Sequence, residues 1–265
     1  MRHRAMVLVV TACLGVLACV QTPAQISAQT AEELINKNIQ AKGGLDRIKS
    51  ARTRLATGRV RGGGRRVSVA VFKQMNMRPN LVRNNFTLQG MTAVQAYDGS
   101  VGWQTQPFRG RKEPELMGED NVRDLLLAAD FDGPLVDYAA KGNTIEYLGH
   151  AEVDGDDALR LKVTLKNGDI IYFYLDPDTD LEIREEIQQF IRGSVRERVV
   201  ELGSYKAVDG VMYPFSISEG PRNNPGAQVT SIEKIQVNVP LQESDFALPP
   251  SLRTEEKKSG IVGVR

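Results

Sequence analysis

The sequence is poor in cysteine and histidine. Both of its cysteines, Cys13 and Cys19, lie close to the N-terminus, and His150 is the one histidine outside that region. The rest of the chain therefore cannot form a disulfide, and its stability must come from a packed core. A single histidine is also too few for a histidine metal cluster and leaves a Ser-His-Asp triad with one candidate base.

Other signatures of catalysis are missing as well. The sequence contains no Gly-x-Ser-x-Gly, and its carboxylates are too numerous, at 33, for any pair to stand out as a glycosidase dyad. Asp176, Asp178 and Asp180 match the start of a calcium loop, but Leu181 replaces its glycine and Ile187 replaces its closing glutamate. We therefore expect no enzyme activity, no cofactor and no metal site, with a carboxylate pair as the alternative left open.

An excess of charge of either sign is missing too. The chain has 34 basic and 33 acidic residues, and removing Arg2 and Arg4 with the leader described below leaves a net charge of −1. This balance predicts no basic face and disfavours nucleic acid as a partner.

What the chain does have is an N-terminal apolar run. Arg2 and Arg4 precede an apolar stretch over residues 5–20, which is shorter than the roughly 20 residues needed to span a bilayer. This pattern predicts a signal peptide over residues 1–28 and a mature protein in the periplasm. Two processing routes are open: ordinary cleavage after Ala24 or Ala28, or lipidation of Cys19, which would anchor the protein in the outer membrane.

The remaining pattern predicts one mostly β domain over residues 29–252 and a disordered tail over residues 253–265. A capping box from Thr30 to Glu33 starts a helix that Gly43 and Gly44 end. Period-two segments separated by turn signals predict about ten antiparallel strands. In the middle, residues 122–129 and 135–139 have helical spacing, which predicts a pair of helices packed on the concave face of a curved, half-barrel sheet.

Residues 170–175 are apolar on both strand faces, so either both sides of the sheet are covered there or one side lines an apolar hollow. Apolar and aromatic residues are therefore the candidates for a ligand cavity, although each is more often core than ligand contact. The candidates are Trp103, Leu126, Phe131, Leu135, Tyr138, Tyr172 and Tyr174.

Several segments resemble a known family. They are the helix end Ala41-Lys42-Gly43-Gly44, the run from Ala129 to Tyr138, the run from Tyr205 to Phe215, and the closing segments 232–240 and 245–249. Together they resemble the bacterial outer-membrane lipoprotein-sorting-like proteins, relatives of the LolA/LolB carriers. The resemblance covers roughly residues 31–250 and implies a half-open antiparallel β-barrel closed by helices, in which an apolar hollow holds acyl chains.

From these observations we expect a periplasmic carrier that shelters an acyl chain of a lipoprotein or another lipid. The alternative is an envelope-stress sensor that binds a partner protein. A third class, an enzyme acting on envelope glycans or lipids, is disfavoured by the single histidine. We expect the protein to be a monomer.

Overall fold

The computed structural model describes residues 30–62 and 67–253. The predicted signal peptide, its cleavage positions and Cys19 lie outside the described residues, as does all of the predicted tail except Arg253.

The first helix, α1 (Ala31–Ala41), begins at the predicted capping box. Thr30 Oγ1 accepts a hydrogen bond from the Glu33 backbone N–H at 3.2 Å, and the Thr30 N–H donates to Glu33 Oε2 at 3.0 Å. Gly43, with φ of 115°, ends the helix where a Cβ would clash with the carbonyl oxygen of Gly210. The short helix α2 (Leu45–Ser50) follows.

Among the described residues, thirteen strands form one open antiparallel sheet, and two more form a separate hairpin. From one edge to the other, the sheet runs β6-β5-β4-β3-β2-β1-β15-β14-β11-β10-β9-β8-β7, and the hairpin is β12-β13. The strands are β1 (Thr53–Gly62), β2 (Ser68–Met77), β3 (Leu81–Leu88), β4 (Met91–Tyr97), β5 (Gly102–Gln106), β6 (Arg111–Leu116), β7 (Thr144–Val153), β8 (Asp156–Thr164), β9 (Ile170–Leu175), β10 (Glu182–Ile191), β11 (Ser194–Gly203), β12 (Lys206–Val208), β13 (Val211–Tyr213), β14 (Ser216–Gly220) and β15 (Gln228–Val237).

The predicted class, a mostly β antiparallel fold with a few helices, is confirmed, but the count of about ten strands is wrong. Two short turns that the sequence pattern did not mark, at Pro79-Asn80 and at Gln89-Gly90, separate β2 from β3 and β3 from β4 and so raise the number of strands. The edge strand β6 is mostly charged and contains Pro114, so it lacks the apolar alternation of a strand.

Of the two helices predicted in the middle of the chain, only the first forms. It is α3 (Glu119–Ala129). The second prediction is wrong, because residues 131–142 form a series of turns. Gly133, Asp137 and Gly142 all have positive φ, which interrupts right-handed helical backbone on both sides of Leu135 and Val136.

The contacts of α3 demonstrate that the sheet is curved. The helix packs on Val82 of β3 and Tyr97 of β4, while its Arg123 forms an ion pair with Asp169 in the turn between β8 and β9. Neighbouring strands lie about 4.8 Å apart, so these strands would be roughly 30 Å or more apart in a flat sheet. A helix of 11 residues is only about 16 Å long. The sheet must therefore curl around α3, and we call the side that faces the helices the inner face.

Both faces of the sheet are covered in places. The main core lies on the inner face, where α1 packs against β8, β9 and β10 through residues such as Leu34, Leu161 and Phe173. On the outer face, the segment after β15 packs against β2 to β5, and its Phe246 is fully buried. Within the described residues, none of the helices has the length and apolar character that crossing a bilayer requires.

Candidate functional site

The seven predicted cavity residues fall into different parts of the molecule. Four lie on the inner side. Leu126 of α3 is partly buried near Val82, Phe131 is buried, and Leu135 and Tyr138 belong to the core beneath α1.

The other three residues lie on the outer face. The indole Nε1 of Trp103 donates a hydrogen bond to the Phe246 carbonyl at 3.1 Å, so the C-terminal segment covers this side chain. The Arg160 guanidinium lies over Tyr172 and Tyr174, at 4.2 and 5.4 Å from the ring centroids. Both faces of β9 are therefore covered. Its inward residues pack in the main core, and its outward tyrosines pack under Arg160.

A second group of apolar residues lies on the inner face, apart from the main core. Asn76 Nδ2 donates to the carbonyl of Ala128 in α3, so Asn76 points inward, and strand alternation places Phe72 on the same face. Around Phe72 lies an apolar cluster that contains no helical residue. We call it the inner cluster. It consists of the buried Ala56, Val60, Phe72 and Ile232 and the partly exposed Phe86, Phe215 and Ile235.

Next to the inner cluster, the inner face becomes polar. Five side chains from β2 to β6 stand opposite one another in register: Gln74, Asn84, Gln95, Gln104 and Glu115. Gln74 donates to Asn84 at 3.0 Å, and Gln104 donates to Glu115 at 2.9 Å. We call these residues the amide row. This part of the inner face is thus amphiphilic, with aromatic rings beside amide groups.

Arg54 of β1 also lies on the inner face, opposite Asn76. Its guanidinium carbon lies 5.4 Å from the Phe131 ring centroid and 5.6 Å from that of Tyr213. Burial lowers the pKa of Arg54, although Tyr213 and Asp132 oppose this effect. The group nevertheless stays protonated, because an arginine in a protein keeps its charge.

Two acids of β10 lie near the end of α1. Lys42 Nζ is 2.8 Å from Glu182 Oε1, and 6% of the Glu182 side chain is exposed. Burial raises the pKa of Glu182, but the charge and hydrogen bond of Lys42 outweigh this effect and hold it below the ordinary value. Glu185 has no hydrogen bond from a described side chain, and burial, together with the charge of Glu182, raises its pKa to about 7. The Glu185 carboxyl group is therefore only partly ionised near neutral pH, whereas Glu182 stays charged.

These groups offer several kinds of contact to a bound molecule. In the described ranges, no three His, Cys, Asp or Glu side chains are placed to hold a metal ion. The inner cluster offers apolar contacts, the amide row offers hydrogen-bond donors and acceptors, and Arg54 offers a positive charge. An elongated molecule with an apolar part and a polar part would match this surface.

Sequence reasoning missed the inner cluster, the amide row and Arg54. Gln74, Asn84, Gln95 and Gln104 come from separate strands and look like ordinary polar positions. Only the pairing register brings them together. Arg54 could have been singled out because it is a cation at an inward position of β1, but this requires knowing which face of the strand points inward.

Comparison with known proteins shows the fold. No protein-family model matches the chain, and no curated protein matches its sequence. Among solved structures, a DUF1329 family protein from Desulfovibrio piger is 14% identical with a TM-score of 0.59, covering 82% of this chain and 96% of its own. A LolA superfamily protein from Nitrosomonas europaea is 12% identical with a TM-score of 0.55, covering 83% of this chain and 99% of its own.

A third solved structure is a domain from Vibrio parahaemolyticus named for outer membrane lipoprotein sorting. It is 12% identical with a TM-score of 0.53, and the match covers 80% of this chain and 97% of that domain. The chain therefore has a LolA-like fold, which confirms the resemblance noted in the sequence. At such low identity the likeness concerns the fold alone.

Proposed function

We propose that the mature protein is a periplasmic carrier that binds an acyl chain of a lipoprotein or another lipid on its inner face, with no catalysis and no cofactor. The observation that carries this proposal is the inner cluster. Its members Phe86, Phe215 and Ile235 stay partly exposed, and it contains no helical residue from the part of the chain that the structure describes. The basic N-terminus and apolar run over residues 5–20 support export.

The energetics permit such binding. Each methylene that leaves water contributes about 0.8 kcal/mol, so an acyl chain could gain on the order of 10 kcal/mol before ordering costs are subtracted. The partly exposed Phe86 offers an aromatic contact for such a chain, and its ring is supported by that of the buried Phe72, with the two centroids 5.6 Å apart.

A titration with a fluorescent fatty-acid probe tests the proposal. We expect the mature protein to bind the probe and Phe86→Ser to weaken binding at least several-fold, because this ring is a partly exposed member of the inner cluster. Phe190→Ser is the matched control, since Phe190 is an exposed phenylalanine outside the inner cluster. Absence of probe binding by the unmodified protein, or equal effects of the two substitutions, would contradict the proposal.

A second candidate, the sensor that binds a partner protein, is favoured by a different surface. Val67, Val69 and Val71 are 69%, 48% and 59% exposed, with Val69 and Val71 in β2 facing away from the inner cluster. Such a row of exposed apolar residues suits a protein partner. A photo-crosslinker placed at position 69 should then capture one specific envelope protein, while the same group at Glu113 should not. Capture at both positions, or at neither, would count against this candidate.

A further inference from the structure

Arg54 is a cation on the inner face that uses little of its hydrogen-bonding capacity. Its one side-chain hydrogen bond to a described residue runs from Nη2 to Asn76 Oδ1, at 3.0 Å. Its Nε is buried without an acceptor. No described carboxylate lies within ion-pair distance of it. A guanidinium has five donor hydrogens, and burying it without acceptors is unfavourable, so the site is incomplete as it stands.

Arg78, which contacts the same Phe131 ring, has acceptors for most of its guanidinium donors. It binds both carboxylate oxygens of Asp132, at 2.7 and 2.5 Å, and it also donates to the carbonyls of Ala51 and Ile48. Arg78 also lies over the Phe131 ring, at 4.7 Å. Arg78 thus connects the turn after α3 to the sheet through Asp132, whereas Arg54 has no hydrogen bond to a described residue of that turn.

Arg54 lies directly beside the inner cluster. Ala56, two residues further along β1 on the same face, is a buried member of that cluster and pairs with Ile235. Two residues along a strand span roughly 7 Å, so one molecule could reach from the cluster to the guanidinium. The rings of Phe131 and Tyr213 lie close to the guanidinium, and apolar surroundings of this kind strengthen its attraction for an anion.

We propose that Arg54 binds the anionic head of an amphiphile, a carboxylate or a phosphate, whose acyl chain lies on the inner cluster; this inference rests on the proposed function. Arginine suits both anions because its planar fork donates two parallel hydrogen bonds to paired oxygens. The anion supplies acceptors that the described residues do not provide. The ligand class is therefore an anionic single-chain lipid or a lipid with an accessible phosphate.

Three ligands with the same oleoyl-length chain test this inference on the mature protein: oleate, a lysophosphatidic acid and oleyl alcohol. We expect at least one anionic ligand to bind about tenfold more tightly than the alcohol, the size expected for hydrogen bonds to a charged group. Arg54→Gln should remove this preference and leave the affinity for the alcohol unchanged. Arg54→Lys, which keeps the charge but loses the fork, should retain part of the preference.

Arg59→Gln is the control, because Arg59 is an exposed residue of β1 outside the inner cluster, paired with Glu233. It should leave all three affinities unchanged. A preference for oleate alone would identify a carboxylate as the ligand, and a preference for the phosphate alone would identify a phosphate.

The results that overturn this inference differ from those that overturn the proposed function. If none of the three ligands binds, the carrier function fails. If the alcohol and both anions bind the unmodified protein equally, only the role of Arg54 fails. Equal weakening of all three ligands by Arg54→Gln, measured beside a thermal melt, would assign Arg54 a structural role and would also overturn the inference.

Discussion

Lys42 and Glu182 form an ion pair that joins the end of α1 to the start of β10, with Lys42 Nζ 2.8 Å from Glu182 Oε1. Both side chains are largely shielded from water. The pair fixes the C-terminal end of α1 above β10, and Asn38 of the same helix adds a hydrogen bond to the Asp180 carbonyl at 2.8 Å. The position of this helix over the main core therefore depends on polar as well as apolar contacts.

The first prediction concerns this pair. Lys42→Met should leave the Glu182 carboxylate buried without its cation and cost about 3–5 kcal/mol of unfolding free energy. The pKa of Glu182 lies below its ordinary value when Lys42 is present, so the stabilisation exists above the ordinary glutamate pKa and is lost as acid protonates Glu182. The cost of the substitution should therefore be larger at pH 8 than at pH 4 in urea denaturation.

Lys49→Met is the control for this experiment. Lys49 pairs with Asp137, but both side chains are 42% exposed, so its loss should cost no more than about 1 kcal/mol. Equal losses of unfolding free energy for the two substitutions would show that burial does not increase the contribution of the Lys42–Glu182 pair to stability.

The second prediction concerns Glu185. Burial raises its pKa to about 7, so the folded state holds a proton that the unfolded chain releases at lower pH. Stability should then fall as the pH rises from the ordinary glutamate value through about 7. Glu185→Gln should remove this loss, raising the unfolding free energy by roughly 1–3 kcal/mol at pH 8 and changing it little at pH 4. The exposed Glu113→Gln should show no such pH dependence.

The third prediction concerns the glycines after α1. Gly43 and Gly44 both have positive φ, but a Cβ on Gly43 would clash with the backbone of Gly210, whereas one on Gly44 would meet only the flexible side chain of Gln40. Gly44→Ala should cost about 1–2 kcal/mol for the backbone conformation alone, and Gly43→Ala should cost clearly more. Guanidinium denaturation of the two variants measures this difference in unfolding free energy. Equal costs would mean that the backbone at Gly210 can move away from the added Cβ without loss of stability.

The fourth prediction concerns the outer face. Phe246 is fully buried against β2 and β3, so Phe246→Ala should cost about 3–5 kcal/mol. Because Trp103 donates to the Phe246 carbonyl, its fluorescence should also change in the folded variant. Phe190→Ala, at a residue that is 65% exposed, should change stability by no more than about 0.5 kcal/mol. A small cost at Phe246 would mean that the C-terminal segment is only weakly attached to the sheet.

The sequence predicted the parts of this fold that depend on local chemistry. The capping box at Thr30 and the helical spacing of α3 act within a few residues, and both helices formed as expected. The prediction of a second helix was wrong because it followed the apolar spacing around Leu135. The structure instead forms turns at Gly133 and Asp137, which both have positive φ.

The candidate site depended on information that a local pattern does not carry. Tyr172 and Tyr174 are apolar enough to line a hollow, yet they lie on the face opposite the helices, because the face of a strand is set by its pairing register. Arg54 entered the site for the same reason, since its inward direction follows from its pairing with Asn76. The apolar pattern of a sequence indicates which residues are buried, whereas the pairing register of the strands determines which residues they contact.

The position of β1 in the middle of the sheet has a consequence for how the chain folds. β1 pairs on one side with β2, its neighbour in sequence, and on the other side with β15, the last strand. Hairpins such as β1-β2 can form early from local contacts, but the two halves of the sheet join only through pairings of large sequence separation, which are slow to form. A chain that emerged N-terminus first from a translocation channel would therefore hold an incomplete sheet until β15 had passed through, and the final closure would be a post-translocation event.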